Sequence, residues 1–230
     1  MKSGKQLSLL GRQTRHERKG REIGRLREFD VDEAIVIATK LFWEKGYEGT
    51  SLAELTSAMG INPPSFYAAF ESKAALFRIT LERYRKDYLG FATKALEEPT
   101  ARAVAERLLF GYADMLSSPG HPPGCLAMNS AWSADSDGIR DELREWREYR
   151  KKTLRRRFQK AIAEGELPAG ISADGLAQYV MVVAWGLALE GQSGGSRRQL
   201  RRVVTAAMKA WPDPHGHVAG RQSDGPRRIK

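Results

Sequence analysis

The sequence predicts an all-α protein with an N-terminal three-helix helix-turn-helix head and a larger C-terminal helical body. Apolar residues recur at helical spacing through most of the chain, and no stretch shows the sustained period-two alternation of a strand. Near the N-terminus, two short helical segments are separated by a tight glycine-containing turn. We divide the chain into a basic arm at 1–24, a head at 25–75, a body at 76–211 and a basic tail at 212–230.

Composition narrows the class of protein. The 230 residues are 41% hydrophobic and 29% charged, as in soluble globular proteins. The longest uncharged apolar run, 180–189, is shorter than the roughly 20 residues of a membrane helix, so no membrane partner is expected. The single cysteine excludes an internal disulfide and fits a reducing cytoplasm. The net charge of +10 is concentrated in the terminal segments, and basic arms commonly bind polyanions such as nucleic acid.

Enzymatic motifs are missing from the sequence. The four histidines, His16, His121, His215 and His217, fall in the terminal segments or a predicted loop. No Cys/His pair has zinc spacing, and the chain contains no glycine-rich phosphate loop or nucleophile elbow. We therefore expect no catalytic activity, no cofactor and no metal.

Local signals predict the first two helices of the head. An apolar stripe begins after Asp30, the expected N-cap, and Gly46 ends it. Ser51 and Glu54 have the spacing of a capping box, and Gly60 ends the helix that they begin.

The segment "GINPPSFYAAF", 60–70, predicts the third helix. Asn62 is the expected N-cap and Pro63 occupies the first helical position, where proline is favoured. Phe66 and Phe70 lie one turn apart and are expected to face inward. In a helix-turn-helix, the N-terminal end of the second helix enters the DNA major groove. The same pattern also fits a helical hairpin buried in an ordinary bundle.

The segment 49–77 resembles the DNA-binding part of the tetracycline-repressor (TetR/AcrR) family of bacterial transcription regulators. The resemblance is carried by the spacing of Ser51, Gly60, Tyr67, Phe70 and Lys73. It implies a homodimer whose two heads contact successive major grooves of double-stranded DNA, in the cytoplasm at the nucleoid. It also implies that the C-terminal body holds the dimer interface and a ligand pocket.

The resemblance assigns the DNA contacts residue by residue. Phosphate contacts are implied for Ser51, Tyr67 and Lys73. Positions closest to base edges are implied for Ala53, Pro63, Pro64 and Ser65. Ala68 and Ala69 depart from the bulky aromatic or histidine that the family often carries there, although alanine can still touch a thymine methyl group. We expect Arg25 and Arg27 to offset this loss by reaching the adjacent backbone or minor groove.

Patterning in the body predicts the remaining helices. One helix is expected to run from Lys73 into the 90s, and another starts near Thr100. The charged helix from Asp141 onward is interpreted as a mostly solvated surface. The last two helices predict a four-helix dimer seam, although simple core packing within one chain gives the same pattern. The expected seam residues are Ala184, Leu187, Ala188, Leu200, Val203, Val204, Ala207, Met208 and Trp211.

Aromatic and polarizable side chains in the body are candidates for a ligand pocket, because effector sites are mostly apolar cavities. Core packing is the alternative for each of them. The candidates are Tyr112, Met115, Cys125, Met128, Trp132, Trp146, Tyr179 and Trp185. For Cys125 three interpretations remain open: a buried small hydrophobe, a pocket-lining residue, or a redox or electrophile sensor.

Together these observations predict a ligand-responsive, sequence-specific DNA-binding transcription regulator. Its expected form is a homodimeric repressor that a small-molecule effector releases from a palindromic operator. Two alternatives remain: a constitutive DNA-binding protein without effector, and a redox-responsive regulator that uses Cys125.

Overall fold

The computed structural model describes residues 30–133 and 138–213, and within them the chain forms ten α-helices and no strand. The all-α prediction is confirmed. The helices are α1 (Val31–Lys45), α2 (Leu52–Met59), α3 (Pro63–Phe70), α4 (Lys73–Tyr88), α5 (Gly90–Ala95), α6 (Ala101–Leu116), α7 (Leu126–Ser133), α8 (Ile139–Ala163), α9 (Ala173–Gln192) and α10 (Arg197–Lys209).

The predicted N-caps of the head are confirmed. The Asp30 carboxylate accepts hydrogen bonds from the amides of Asp32 and Glu33. Ser51 and Glu54 form both bonds of a capping box. The side chain of Asn62 accepts from the amide of Ser65, with prolines in the first turn of α3. These bonds satisfy amides that would otherwise lack a partner, so each short helix begins where its cap lies.

Aromatic packing holds the head together. Phe42 of α1 meets Phe77 of α4 edge to face, with ring centroids 5.1 Å apart. Phe66 and Phe70 of α3 are buried as predicted, so α3 is fixed to α2 and α4 through its inner face. The outer face of α3 remains free for a partner.

The prediction of one helix from Lys73 into the 90s is wrong. Helix α4 ends at Tyr88, and the short helix α5 begins at Gly90. Between them Leu89 has φ −110° and ψ 10°, and its side chain is buried. Gly90 is the weak point, because a glycine inside a helix costs about 1 kcal/mol relative to alanine.

The body is built from α6, α8, α9 and α10. Helix α9 packs against the other three, which explains why its sequence is apolar nearly all round. Helix α7 packs on α1 of the head as well as on α8, so it joins the head to the body. Among helices in the described ranges, none combines the length and apolar character needed to cross a bilayer.

Candidate DNA-contact surface and ligand cavity

The outer face of α3 presents one continuous surface. Pro63, Pro64, Ser65, Tyr67, Ala68 and Ala69 are all exposed, whereas Phe66 and Phe70 on the inner side of the helix are buried. The turn before α3 contains Gly60 with φ 68°, a left-handed conformation that glycine adopts at little cost. The chain therefore presents the N-terminal end of α3, with its rigid prolines, to a partner.

Helix α2 contributes the edge of this surface. Ser51 and Ala53 are exposed there. The Ser51 hydroxyl donates to Glu54 Oε2 at 2.9 Å and accepts from the Glu54 amide at 3.1 Å. A hydrogen bond from Lys45 and further bonds from Ser51 lower the pKa of Glu54 to about 2. Glu54 thus stays charged and holds the Ser51 side chain in place.

The Lys73 ammonium is bonded to the chain itself, and its predicted phosphate contact stays a prediction. Its Nζ donates to the carbonyls of Tyr47 at 3.1 Å and Thr50 at 3.2 Å. The ammonium also lies 4.2 Å from the centroid of the Tyr47 ring. Lys73 therefore ties the start of α4 to the loop between α1 and α2, and one of its three N–H donors is left for another acceptor.

Three predicted site residues cannot be placed. Arg25 and Arg27 lie outside the described residues. Trp132 belongs to α7, but its side chain is not described.

A cavity lies between α6, α7, α8 and α9 in the body. The cavity volume is about 50 Å³, and it opens into a wider depression of about 550 Å³ that includes open solvent. Among the predicted ligand residues, Tyr112, Cys125, Met128, Trp146 and Trp185 line it. The rest of the lining consists of Ala127, Ala131, Leu143, Arg147, Arg150, Met181, Ala184 and Ala188. The walls are therefore mostly aromatic and aliphatic, with two guanidinium groups.

Two predicted ligand residues do not line this cavity. Met115 is buried in α6 away from the lining. The hydroxyl of Tyr179 donates to the carbonyl of Ala207 at 2.8 Å and so links α9 to α10. Both residues were predicted from their residue type. Which neighbour each side chain faces depends on how the helices pack.

Cys125 lies in the cavity wall and is only 6% exposed. The hydroxyl of Tyr84 donates to its Sγ at 3.2 Å. Burial raises the pKa of Tyr84 well above its ordinary value, so this hydroxyl keeps its proton. Cys125 combines the first two sequence interpretations, because it is both buried and pocket-lining. Its low exposure disfavours a sensor role, which requires access for an oxidant.

The two arginines in the wall were missed by the sequence analysis. Arg147 lies over the Trp185 ring, 4.9 Å from its centroid. Arg150 lies over two rings, 5.0 Å from the Trp146 centroid and 5.3 Å from that of Tyr112. Their charges were interpreted as part of a solvated helix. The available signal was their spacing, since Arg150 follows Trp146 by one turn and shares a helix face with Arg147.

Hydrogen bonds connect the cavity wall to the head. The indole N–H of Trp43, in α1, donates to the carbonyl of Gly124 at 2.9 Å. Asn129, in α7, donates to the Trp43 carbonyl at 2.8 Å. The imidazole of His121 stacks on the Trp43 ring with centroids 4.5 Å apart. A displacement of α7 would therefore be transmitted directly to α1.

Most residues of the predicted dimer seam are buried within the protomer. Ala184 and Ala188 line the cavity, and Leu187, Leu200, Val204 and Met208 are core residues. Trp211 packs against Phe158 with ring centroids 5.5 Å apart. Ala207 is partly buried, and only Val203 is well exposed, at 47%. An amphipathic stripe looks the same whether it packs on a partner or, as here, largely on α6 of its own chain.

A different face of α9 and α10 is apolar and exposed. On α9, Val182 is 50% exposed and Leu189 is 64% exposed, with the exposed Gly186 between them. On α10, Val203 and Ala206 are exposed at helical spacing. Small and apolar residues on adjacent helices favour close helix packing against another protein surface.

Comparison with known proteins gives consistent matches along the chain. Residues 35–78 match the family described as "Bacterial regulatory proteins, tetR family", and residues 104–207 match "Tetracyclin repressor-like, C-terminal domain". The HTH-type transcriptional repressor ComR of Escherichia coli (strain K12) is 31% identical over 194 residues, which are 83% of this chain and 92% of ComR.

Solved structures agree with these matches. A cysteine mutant of the TetR family transcriptional regulator CifR, complexed with 26-base-pair double-strand operator DNA, is 37% identical. The match covers 82% of this chain and 100% of the CifR chain, with a TM-score of 0.75. A putative TetR transcriptional regulator from Rhodococcus sp. RHA1 is 41% identical, with coverage of 79% and 98% and a TM-score of 0.56.

Proposed function

Because the chain belongs to the tetracycline-repressor (TetR) family of bacterial regulatory proteins, we propose that it is a homodimeric repressor released from its operator by a small molecule. The observation that carries this proposal is the outer face of α3, exposed from Pro63 to Ala69 except for its buried Phe66 anchor. The similarity to CifR, which was solved in complex with operator DNA, supports DNA binding by this chain. The protein would act in the cytoplasm on nucleoid DNA.

The exposed residues of α2 and α3 suit two kinds of DNA contact. Pro63, Pro64, Ser65 and Ala53 would lie nearest base edges, and the methyl groups of Ala68 and Ala69 can touch thymine. The Tyr67 hydroxyl would bind a phosphate, helped by the positive dipole at the start of α3, and the Ser51 hydroxyl would bind another by turning away from Glu54. Lys73 would offer its remaining N–H, and Arg25 and Arg27 would add phosphate or minor-groove contacts.

The exposed apolar face of α9 and α10 would form the dimer interface. Val182, Leu189 and Val203 lie on adjacent helices and face solvent in the protomer. A two-fold contact between copies of this face would cover them and place two heads side by side. The heads could then reach successive major grooves, ~34–36 Å apart.

The cavity would be the effector site. A ligand shifts an equilibrium only through different affinities for the two states, so it must favour one position of the cavity wall. Helix α7 supplies Met128 and Ala131 to the wall, and its Asn129 binds the Trp43 carbonyl of α1. Occupation of the cavity could therefore alter the spacing of the two heads. The existence of this cavity favours a ligand-responsive regulator over a constitutive DNA-binding protein.

A matched pair of tyrosine variants tests the DNA-contact surface. Tyr67 is 51% exposed on α3, and Tyr149 is 64% exposed on α8 of the body. We expect Tyr67→Phe to weaken binding about threefold to tenfold, on specific and unrelated duplexes alike, because a phosphate hydrogen bond is lost. Tyr149→Phe should bind like the wild type. Fluorescence anisotropy with labelled duplexes measures both, and unchanged binding by Tyr67→Phe would contradict the proposed docking face.

A further inference from the structure

Charge in the cavity lining is one-sided. Arg147 and Arg150 both line the cavity, and among the lining residues that the structure describes none is an aspartate or a glutamate. Across 30–133 and 138–213, neither arginine forms an ion pair with a carboxylate, although other arginines of α8 do. The cavity therefore carries positive charge that the described protein groups leave uncompensated.

One of these arginines also lacks a hydrogen-bond partner. The Nε of Arg147 is buried and has no acceptor among the described residues. A buried donor of a charged group without an acceptor is costly, because it has lost its water and gained nothing in return. An anion in the cavity would supply both the missing acceptor and the missing counter-charge.

Aromatic rings hold both guanidinium groups at the cavity wall. Trp185 lies against Arg147, while Trp146 and Tyr112 lie against Arg150. In each contact the central carbon of the guanidinium lies over a ring, and the N–H donors project from the edge of the guanidinium plane. A carboxylate has two oxygens at the spacing that this edge can bind in a bidentate manner. The rings also restrict the motion of both arginines, so less entropy is lost on binding.

The remaining walls select an aromatic or similarly flat apolar group. Trp146, Trp185 and Tyr112 offer ring faces and edges, and Met128 and Met181 can adapt to the shape of a ligand. The cavity volume is about 50 Å³, which is less than a single ring with a short side chain needs, so such a ligand would have to widen the cavity by displacing its wall.

We propose that the effector is a small aromatic monocarboxylate, with its carboxylate held by Arg147 and Arg150 and its ring held by the tryptophans. This inference rests on the proposed function, since it assigns the chemistry of the cavity that would control operator binding. A neutral apolar molecule would leave the Arg147 donor unpaired, and a cationic ligand would be repelled.

Calorimetric titration of the full chain without DNA tests the binding step. The probes are phenylacetate and 3-phenylpropionate, with phenylacetamide as the neutral isostere and benzylamine as the cation. We expect each carboxylate to bind at least tenfold more tightly than phenylacetamide, and benzylamine not to bind. Arg147→Gln and Arg150→Gln should each remove the preference for carboxylate. Arg156→Gln, on the exposed surface of the same helix, should keep it.

A second variant tests whether carboxylates of the chain itself compete with the added ligand for the two arginines. Asp135 and Asp137 lie in the segment 134–137, outside the described residues, and the Asp135→Asn/Asp137→Asn protein removes both carboxylates. Absence of carboxylate binding in both the wild type and this variant would overturn the proposal. Equal binding of carboxylate and amide would overturn it too.

Operator binding is measured separately, with and without saturating 3-phenylpropionate. We expect the carboxylate to weaken operator binding at least tenfold. Binding in the cavity without any change in operator affinity would overturn the effector assignment. Failure of the ligand-free protein to bind any specific duplex would instead overturn the proposed function, so the two failures are distinguishable.

Discussion

The indole N–H of Trp43, in the first helix of the head, donates a 2.9 Å hydrogen bond to the carbonyl of Gly124 beside the cavity wall. Asn129 returns a bond to the Trp43 carbonyl at 2.8 Å from helix α7. Cys125 follows Gly124 directly and lines the cavity, where its Sγ accepts from Tyr84. A short covalent and hydrogen-bonded path thus joins the cavity to the head.

Trp43→Phe tests this connection. The substitution leaves the buried Gly124 carbonyl without its donor, so we expect the free energy of unfolding to fall by about 1–3 kcal/mol. The ratio of operator Kd values with and without 3-phenylpropionate should move toward one. Chemical denaturation and anisotropy measure the two effects. Trp211→Phe, which changes an indole in the core of the body, is the control, and an unchanged ratio for Trp43→Phe would contradict this path.

Substitutions at Asn62 distinguish the stability of α3 from its contact with DNA. Asn62→Ala removes the N-cap and should lower the free energy of unfolding by about 1 kcal/mol. Asn62→Asp keeps a capping oxygen and should retain stability, but its charge should weaken DNA binding because the residue is exposed beside the proposed contact face. Asn62→Ser should preserve both properties. Wild-type DNA affinity in Asn62→Asp would mean that this end of α3 does not face phosphates.

The exposed face of α9 and α10 predicts how dimers can be broken. Leu189→Arg or Val203→Glu places a charge in the proposed interface, where it would lose its water without gaining a partner. We expect sedimentation equilibrium to show monomers at micromolar concentration, with the helical content retained. Ile79→Glu, at a 40% exposed position on α4, should remain dimeric. If both interface variants dimerise like the wild type, the dimer interface lies on another surface of the protein.

Glu54 makes the stability of the head depend on pH. Its pKa is lowered to about 2 by Lys45 and Ser51, below the value near 4.3 expected for an unfolded chain. The stabilisation is therefore fully present above about pH 4.3 and is lost as pH falls toward about 2. The difference in Tm between wild type and Glu54→Gln should shrink across this range, and it should also shrink in high salt. A difference that stays constant with pH would contradict the assignment.

Signals confined to one helical turn were readable from the sequence. The Ser51–Glu54 capping box and the Asn62–Pro63 start depend on residues within three positions of each other, so their geometry hardly depends on the rest of the chain. The same locality explains why the helix-turn-helix and its buried Phe66 and Phe70 could be predicted. The break at Leu89 was missed because a single glycine after a long helical pattern is often tolerated.

Relationships between helices were not readable in the same way. The stripe of α10 was predicted to form a dimer seam, with packing inside one chain as the alternative, and in the structure α6 covers much of it. Tyr179 was selected for a pocket by its type, and only the packing of α9 directs its hydroxyl to Ala207. Arg147 and Arg150 were hidden in a charged helix, because their position in the cavity depends on the rings contributed by α6 and α9.

Selection of genomic DNA by the purified protein tests the central claim most directly. The full chain is incubated with a genomic fragment library at moderate salt, and the retained fragments are sequenced. A homodimeric operator-binding regulator should enrich one or a few pseudo-palindromic sites, with half-sites about one helical turn apart or a multiple of it. Retention of fragments without sequence preference would contradict the account. Binding would then be explained by the attraction between a basic chain and DNA phosphates alone.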